Sequence, residues 1–187
     1  VSDPLHNVSA GYSYLAHAAL LEHTYFTNGS TRIMSATRHY DNLNRLTKVE
    51  NLNAQAAPFS SFSYGLNPAN RRTAVTNADS SYWTYAYDNL GQLTDAVRAW
   101  SNATPVAGQA FGYDYDDIGN RTMASVNGRT NGYAANLLNQ YTQRTVPGYV
   151  NVHGQAATNA TVAVNSQAVT RQGGYFWKEL AVSNSTG

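Results

Sequence analysis

The sequence predicts an all-β fold built from antiparallel β-hairpins in series, on three observations. First, the residues that normally dress exposed helices are nearly missing. Only Lys48 and Lys178 are Lys among 12 Lys+Arg, and only Glu22, Glu50 and Glu179 are Glu among 11 Asp+Glu, whereas solvated helix faces are rich in both. Second, 20 Asn, 18 Thr, 14 Gly and 14 Tyr supply turn formers and strand formers together. Third, a turn-forming octapeptide recurs, and alternating segments with aromatics two residues apart lead into it, as one face of a strand requires.

Three copies of the octapeptide are plain: Tyr40-Asp-Asn-Leu-Asn-Arg-Leu-Thr47, Tyr87-Asp-Asn-Leu-Gly-Gln-Leu-Thr94 and Tyr115-Asp-Asp-Ile-Gly-Asn-Arg-Thr122. Two are degenerate, Leu66-Asn-Pro-Ala-Asn-Arg-Arg-Thr73 and Ala135-Asn-Leu-Leu-Asn-Gln-Tyr-Thr142. The threonines stand 26, 21, 28 and 20 residues apart, each spacing enough for two short strands and two turns. The second position is always Asp or Asn (Asp41, Asn67, Asp88, Asp116, Asn136), whose short side chain can accept from backbone N–H groups two residues on and start a turn. The fifth is always Asn or Gly (Asn44, Asn70, Gly91, Gly119, Asn139), the residues that tolerate the positive φ of a type I turn closed by a left-handed residue. The fourth is apolar (Leu43, Ala69, Leu90, Ile118, Leu138), from which a turn tucked against a core is expected. The threonine is expected to open the return strand. Tyr82-Trp-Thr-Tyr85-Ala-Tyr87 and Phe111-Gly-Tyr113-Asp-Tyr115 are the clearest strands feeding a turn.

Tyr40-Asp41, Tyr87-Asp88 and Tyr115-Asp116, with the Leu/Ile, Gly/Asn and Leu/Arg-Thr that follow, resemble the YD repeat of the rearrangement-hotspot (Rhs) family. Tc-toxin C components and the teneurins are among its relatives. The resemblance covers roughly residues 24–145, and Ala10-Gly-Tyr-Ser-Tyr14 and Thr31-Arg-Ile-Met also look like sequence leading into a copy. It implies a curved sheet that spirals into part of a β-shell around a toxic or effector domain. The partners it implies are the rest of the shell and that effector, and the localisation is secreted or on a bacterial cell surface. Family members that release their effector use an Asp-Pro-x-Gly region after the last repeat. Here Asp3-Pro4 is followed by Leu5-His6, so no autoproteolytic site is assigned.

Three regions follow: incoming strands over 1–23, the five-copy repeat sheet over 24–146, and a β-rich segment over 147–187. The last alternates without a Tyr-Asp turn, as in Tyr149-Val-Asn-Val152, and resembles the opening strands of a bacterial immunoglobulin-like module, too short to close a sandwich of about 100 residues. With Val1 in place of Met and Gly187 inside that module, both ends are expected to be cuts within a longer chain, and no signal peptide is visible.

Composition and motifs narrow the function. A net charge of +1 with 12% charged residues gives no cluster of Lys and Arg to grip nucleic acid or an anionic membrane. No apolar run approaches 18 residues, so no membrane-spanning helix is expected. The lack of Cys removes disulfides, zinc–thiolate sites and thiol nucleophiles. Asp114, Asp116 and Asp117 form the densest acidic cluster; Asp116 belongs to a turn, and a solvated face is expected there rather than a cation site. Glu22, Glu50 and Glu179 are too scattered for a paired-carboxylate hydrolase. The five His show no metal-ligand spacing, and neither a Gly-x-Ser-x-Gly elbow nor a phosphate loop occurs. Six Asn-x-Ser/Thr sequons, at Asn7, Asn28, Asn102, Asn120, Asn159 and Asn184, follow from the Asn and Ser/Thr content. No catalytic set, metal or cofactor is expected.

The aromatics leave one binding possibility open. Tyr82, Trp83, Tyr85 and Trp100 could present a stacking platform for the rings of a glycan. The competing reading is cross-strand aromatic pairing that stabilises the sheet. Trp83 and Tyr85 fall on one strand face and Tyr82 on the other, so both readings can hold on opposite faces. A structural shell fragment and a cell-surface carbohydrate-binding module are the two functions that result.

A sheet segment cut from its neighbours presents open edges that seek partners, and this chain has few Lys to guard them. Light scattering of the isolated chain is therefore expected to show oligomers or fibres, unless an edge packs against its own terminal segments. A clean monomer with an uncovered edge would contradict this.

Overall fold

The computed structural model describes residues 2–3 and 5–183. Pro4 of the Asp3-Pro4 pair and the sequon at Asn184 lie outside the described residues. Every regular element is a β-strand, as the composition required. The chain divides into two compact units, residues Val1–Thr84 and Tyr85–Gly187.

The first unit is a meander in strict chain order. It runs through β1 (Ser2–Asp3), β2 (Val8–Tyr14), β3 (Leu21–Asn28), β4 (Thr31–Tyr40), β5 (Leu46–Asn53), β6 (Pro58–Leu66) and β7 (Arg72–Asn77), each antiparallel to the next. The first half of β8 (Tyr82–Tyr87) adds to β7 through Ala74↔Thr84, Val75↔Trp83 and Thr76↔Tyr82. At the other side β1 pairs with β2, among the described residues, through Ser2↔Ser9 and Asp3↔Val8, so β1 covers only the first part of that edge of β2.

The second unit continues the pattern with β9 (Leu93–Ala99), β10 (Pro105–Tyr115), β11 (Arg121–Val126), β12 (Arg129–Ala135) and β13 (Tyr141–Arg144). The β11–β12 hairpin is closed by two residues, Asn127 and Gly128, with φ of 53° and 79°. That is the Asn-Gly turn whose twist matches the flanking strands. After Pro147 the chain changes style. β14 (Tyr149–Gln155) and β17 (Thr170–Gln172) flank β18 (Tyr175–Ala181) in a three-stranded antiparallel sheet, and β15 (Ala163–Val164) and β16 (Gln167–Ala168) form a small hairpin in the connection. Arg171 holds that connection by donating to the carbonyls of Ala157 (3.0 Å), Gly173 (3.2 Å) and Ala160.

The sheet has almost no conventional core. The buried apolar side chains among the described residues are Ala36, Val75, Ala96, Ala99, Val106 and Ala124, all small. In β5 all eight residues are half-buried and none is buried. A strand packed under a second layer shows a buried face alternating with an exposed one, so β5 belongs to a sheet one layer thick. The fourth turn residues correct the expectation of a tucked turn: Leu43, Leu90, Ile118 and Leu138 are 73%, 74%, 71% and 77% exposed. Without a second layer no core lies within their reach.

The turns therefore have to hold themselves. Where Gly119 sits at φ +90°, a side chain is strained in its own backbone whatever space surrounds it. Gly119→Ala is expected to cost about 1–2 kcal/mol. Asn139→Gly, at the same turn position with φ +61°, should change stability by a few tenths of a kcal/mol at about the scale of exchanging residues that both tolerate this region. Urea unfolding of the two variants beside the parent chain measures the difference.

Candidate functional site

The only recurring constellation of side chains in the described residues is the repeat turn, and its geometry is the same five times. The strand ends at the first octapeptide position (Tyr40, Leu66, Tyr87, Tyr115, Ala135) and the return strand starts at the seventh (Leu46, Arg72, Leu93, Arg121, Tyr141). The backbone N–H of the second residue donates to the carbonyl of the sixth: Asp41 to Arg45 (3.0 Å), Asn67 to Arg71 (2.9 Å), Asp88 to Gln92 (3.0 Å), Asp116 to Asn120 (2.9 Å) and Asn136 to Gln140 (2.9 Å). The fifth residue closes back on the carbonyl of the second, and Asn44, Asn70, Gly91, Gly119 and Asn139 have φ of 61°, 59°, 87°, 90° and 61°. The second side chain holds the loop from inside. Oδ1 of Asp41 accepts from the N–H groups of Leu43 (2.9 Å) and Arg45 (3.0 Å), Oδ1 of Asp116 from Ile118 (3.1 Å) and Asn120 (2.8 Å), and Oδ1 of Asn136 from Leu138 (2.9 Å) and Gln140 (3.1 Å). Asn67 and Asp88 accept from the N–H of the sixth residue in the same way, at 2.9 Å and 2.8 Å.

The threonine has a different place from the one its position suggests. Tyr40 faces Leu46 while His39 faces Lys48, so Thr47 is the extra residue of a β-bulge. Thr73, Thr122 and Thr142 are skipped in the same way. The hydroxyls of Thr47 and Thr142 reach across to the carbonyls of His39 (3.2 Å) and Ala134 (3.3 Å).

Sequence reasoning missed three columns that tie one hairpin to another. The tyrosine of the first position is a crosslink: Tyr40 Oη donates to the carbonyl of Leu21 (2.9 Å) and Tyr115 Oη to that of Leu93 (3.0 Å), each at the start of the neighbouring strand. Burial pushes the Tyr115 phenol above its ordinary value. The sixth position, always Arg, Gln or Asn, ties turn to turn. Arg45 Nε and Nη2 both lie 2.7 Å from Asp41 Oδ2, and Nη1 donates to the carbonyl of Asn67 in the next repeat turn (3.0 Å). Asn120 Nδ2 similarly reaches Asp116 Oδ2 (2.9 Å) and Asn139 Oδ1 (3.2 Å). In three copies the seventh position stacks on the residue two before the first position. Arg72 lies 4.2 Å over Tyr64, Arg121 stands between Tyr113 (5.4 Å) and Tyr133 (5.3 Å), and Tyr141 packs on Tyr133 at 5.3 Å. The signal in the sequence was that Tyr64, Tyr85, Tyr113 and Tyr133 occupy one column.

The turns at the opposite strand ends use the same closure without the motif. Asn53, Asn77 and Trp100 stand at the second position and Ala56, Ser80 and Ala103 take the positive φ, at 58°, 62° and 66°. Ala and Ser in that region hide the turn from a reading that looks for Asn and Gly.

Of the possible glycan-stacking residues, Tyr82, Trp83, Tyr85 and Trp100 are all half-buried. Trp100 meets Tyr175 edge-on at 5.8 Å, with Arg98 5.9 Å from its ring. Tyr85 occupies the column in which Tyr64, Tyr113 and Tyr133 are stacked. Asp116 uses both carboxylate oxygens on its own turn. Among the described residues no three His, Asp or Glu side chains gather in a way that could hold a metal ion.

Fold and turns together define the class, a repeat protein whose unit is a hairpin closed by an Asp or Asn turn, three of the five being Tyr-Asp. Residues 67–104, which span the second and third turns, match the family model described as RHS Repeat, and the chain carries Rhs/YD repeats. Among solved structures, the Photorhabdus luminescens Tc holotoxin pore with a TccC3 mutation shares the fold over 91% of this chain, with a TM-score of 0.59 at 13% identity. This chain spans 8% of the length of that one. A TcdB2–TccC3–Cdc42 crystal structure aligns over 91% of this chain and 11% of its own, at a TM-score of 0.47 and 11% identity. No curated protein matches the sequence.

The two turn carboxylates predict an acid response. The Arg45 guanidinium holds Asp41 below the usual carboxylate value of 3.8, and hydrogen bonding led by the Asn120 amide does the same for Asp116. A carboxyl depressed in the folded state contributes stability that is present above its unfolded value and is lost as pH falls through the folded one. Asn67 and Asn136 show that an amide closes the same turn. The double variant Asp41→Asn, Asp116→Asn should fold, and its stability should fall less steeply than the parent's between about pH 5 and about pH 2. Equal slopes in urea titrations across that range would contradict the assignment.

Proposed function

We propose that the chain is a wall segment of an Rhs/YD-repeat shell that encapsulates or displays a toxin or effector domain, with a structural rather than a catalytic part to play. The observation that carries this reading is the hairpin-to-hairpin linkage in a sheet one layer thick. Asp41, Arg45 and the Asn67 carbonyl form one chain of bonds from turn to turn, and Asp116, Asn120 and Asn139 form another. A sheet without its own second layer gains stability from neighbouring repeats, as a one-dimensional array does, and such an array suits a wall. The fold shared with part of a Tc holotoxin supports the same reading and a secreted or cell-surface setting. The partners on this view are further repeats of the shell, meeting the edges at β2 and β13, and the enclosed domain.

The half-burial of Tyr82, Trp83, Tyr85 and Trp100 does not favour a carbohydrate platform, which needs an exposed aromatic row. The test is made in the longer protein that contains this segment. Gly91→Val together with Gly119→Val distorts two turns of the wall, and the enclosed domain should then become accessible to added protease while keeping its own activity once released. Unchanged protection would overturn the wall reading. So would binding on a glycan array that Trp83→Ala abolishes.

A further inference from the structure

We infer that the C-terminal strands β14, β17 and β18 form a releasable strap, hinged at Pro147 and Gly148, that docks on the β10 bulge, the β11–β12 turn and the start of β12 and opens as a unit. The first ground is a socket built into the repeat sheet. Between Pro105, opposite Ala99, and Ala110, opposite Val97, four residues of β10 face the single residue Arg98. A bulge of this size strips backbone groups of their ladder partners, and the strap satisfies one of them. Tyr175 Oη donates to the carbonyl of Ala107 at 2.6 Å. In the same bulge Gly108 has φ +83°, and the Trp177 indole lies so close that a Cβ there would stand 2.2 Å from its Cδ1. The repeat strand has given up its regular pairing where the strap docks.

A second anchor joins the strap to β12 and its turn. Arg129 Nη2 donates to Glu179 Oε1 at 2.8 Å and Nε lies 3.2 Å from both carboxylate oxygens, with the guanidinium 3.8 Å over the Tyr149 ring. Asn151 Oδ1 accepts from Trp177 Nε1 (2.8 Å) and from Asn127 Nδ2 (3.1 Å). These contacts are polar and aromatic. The ion pair is part-exposed, 43% on the Arg129 side and 18% on the Glu179 side, so water and salt weaken it.

The contact between strap and sheet is also incompletely filled. Asn131 is 5% exposed. It lines a cavity of about 240 Å³ between the sheet residues Val126, Arg129 and Arg144 and the strap residues Pro147 and Tyr149. The joint is short: Pro147 cannot extend β13, and Gly148 turns the chain at φ +69° directly before β14.

Hydrogen exchange of the isolated chain, read by mass spectrometry, tests this. The amides of β14 and β18 should exchange together and faster than those of β10 and β11, as a separate cooperative unit does. Arg129→Gln should accelerate them by a further factor of roughly three to five, the scale of one part-exposed ion pair, and leave β10 and β11 unchanged. Glu179→Gln breaks the same pair from the strap and serves if the first variant fails to fold. Equal exchange of strap and sheet in the parent chain, or strap rates that neither variant moves, would overturn the proposal.

Discussion

The structure depends on one local constraint, a five-residue loop whose first residue is an Asp or Asn that accepts from the backbone amides of its own turn and whose fourth residue takes a positive φ. In a two-layer protein, burial of strand faces pins the register and a poor turn can be tolerated. Here the buried apolar residues are alanines and valines, and burial on that scale cannot choose between registers that differ by one residue. The turn makes the choice instead. Its bulged threonine, with the hydroxyl on the carbonyl across the ladder, sets the register at the strand ends.

A self-closing turn makes a hairpin, and an isolated hairpin is marginal in water. What converts hairpins into a sheet is a second set of contacts that reach the next unit: the tyrosine hydroxyl to a neighbouring strand's carbonyl, the long polar side chain after the left-handed residue, and the Arg or Tyr stacked on the aromatic column. None is worth much alone, about 0.5–1 kcal/mol for a part-exposed cation–π pair. Repetition makes them matter. The same arithmetic explains why the turn-tip leucines can stand in solvent: the loop is held by its polar atoms and does not require their burial.

The strands after Pro147 follow another logic. They do not extend the ladder of β13 but dock on β10, the β11–β12 turn and the start of β12, where the regularity of the repeat sheet is broken at the β10 bulge. Their inner surface alternates Tyr149, Asn151 and His153 on β14 with Tyr175, Trp177 and Glu179 on β18, and that surface meets Trp100, Ala107, Asn127 and Arg129.

Much of this was legible in the sequence because it is local. A turn residue acts on amides two and four positions away, so a column of Asp or Asn followed three residues later by Asn or Gly carries its own mechanism. The all-β class, the five repeat turns and their left-handed residues need nothing beyond that range. The Asn127-Gly128 hairpin was equally local but stood outside the octapeptide, and Ala56, Ser80 and Ala103 adopt a conformation their side chains do not advertise. What only the tertiary structure decided acts across strands. The depth of the turn-tip leucines, the partners of Arg45 and Arg121, the threonine bulge and the meeting of Trp177 with Gly108 all depend on which strand lies beside or above another. Sequence spacing alone does not encode that juxtaposition in a sheet whose faces carry so little apolar bulk.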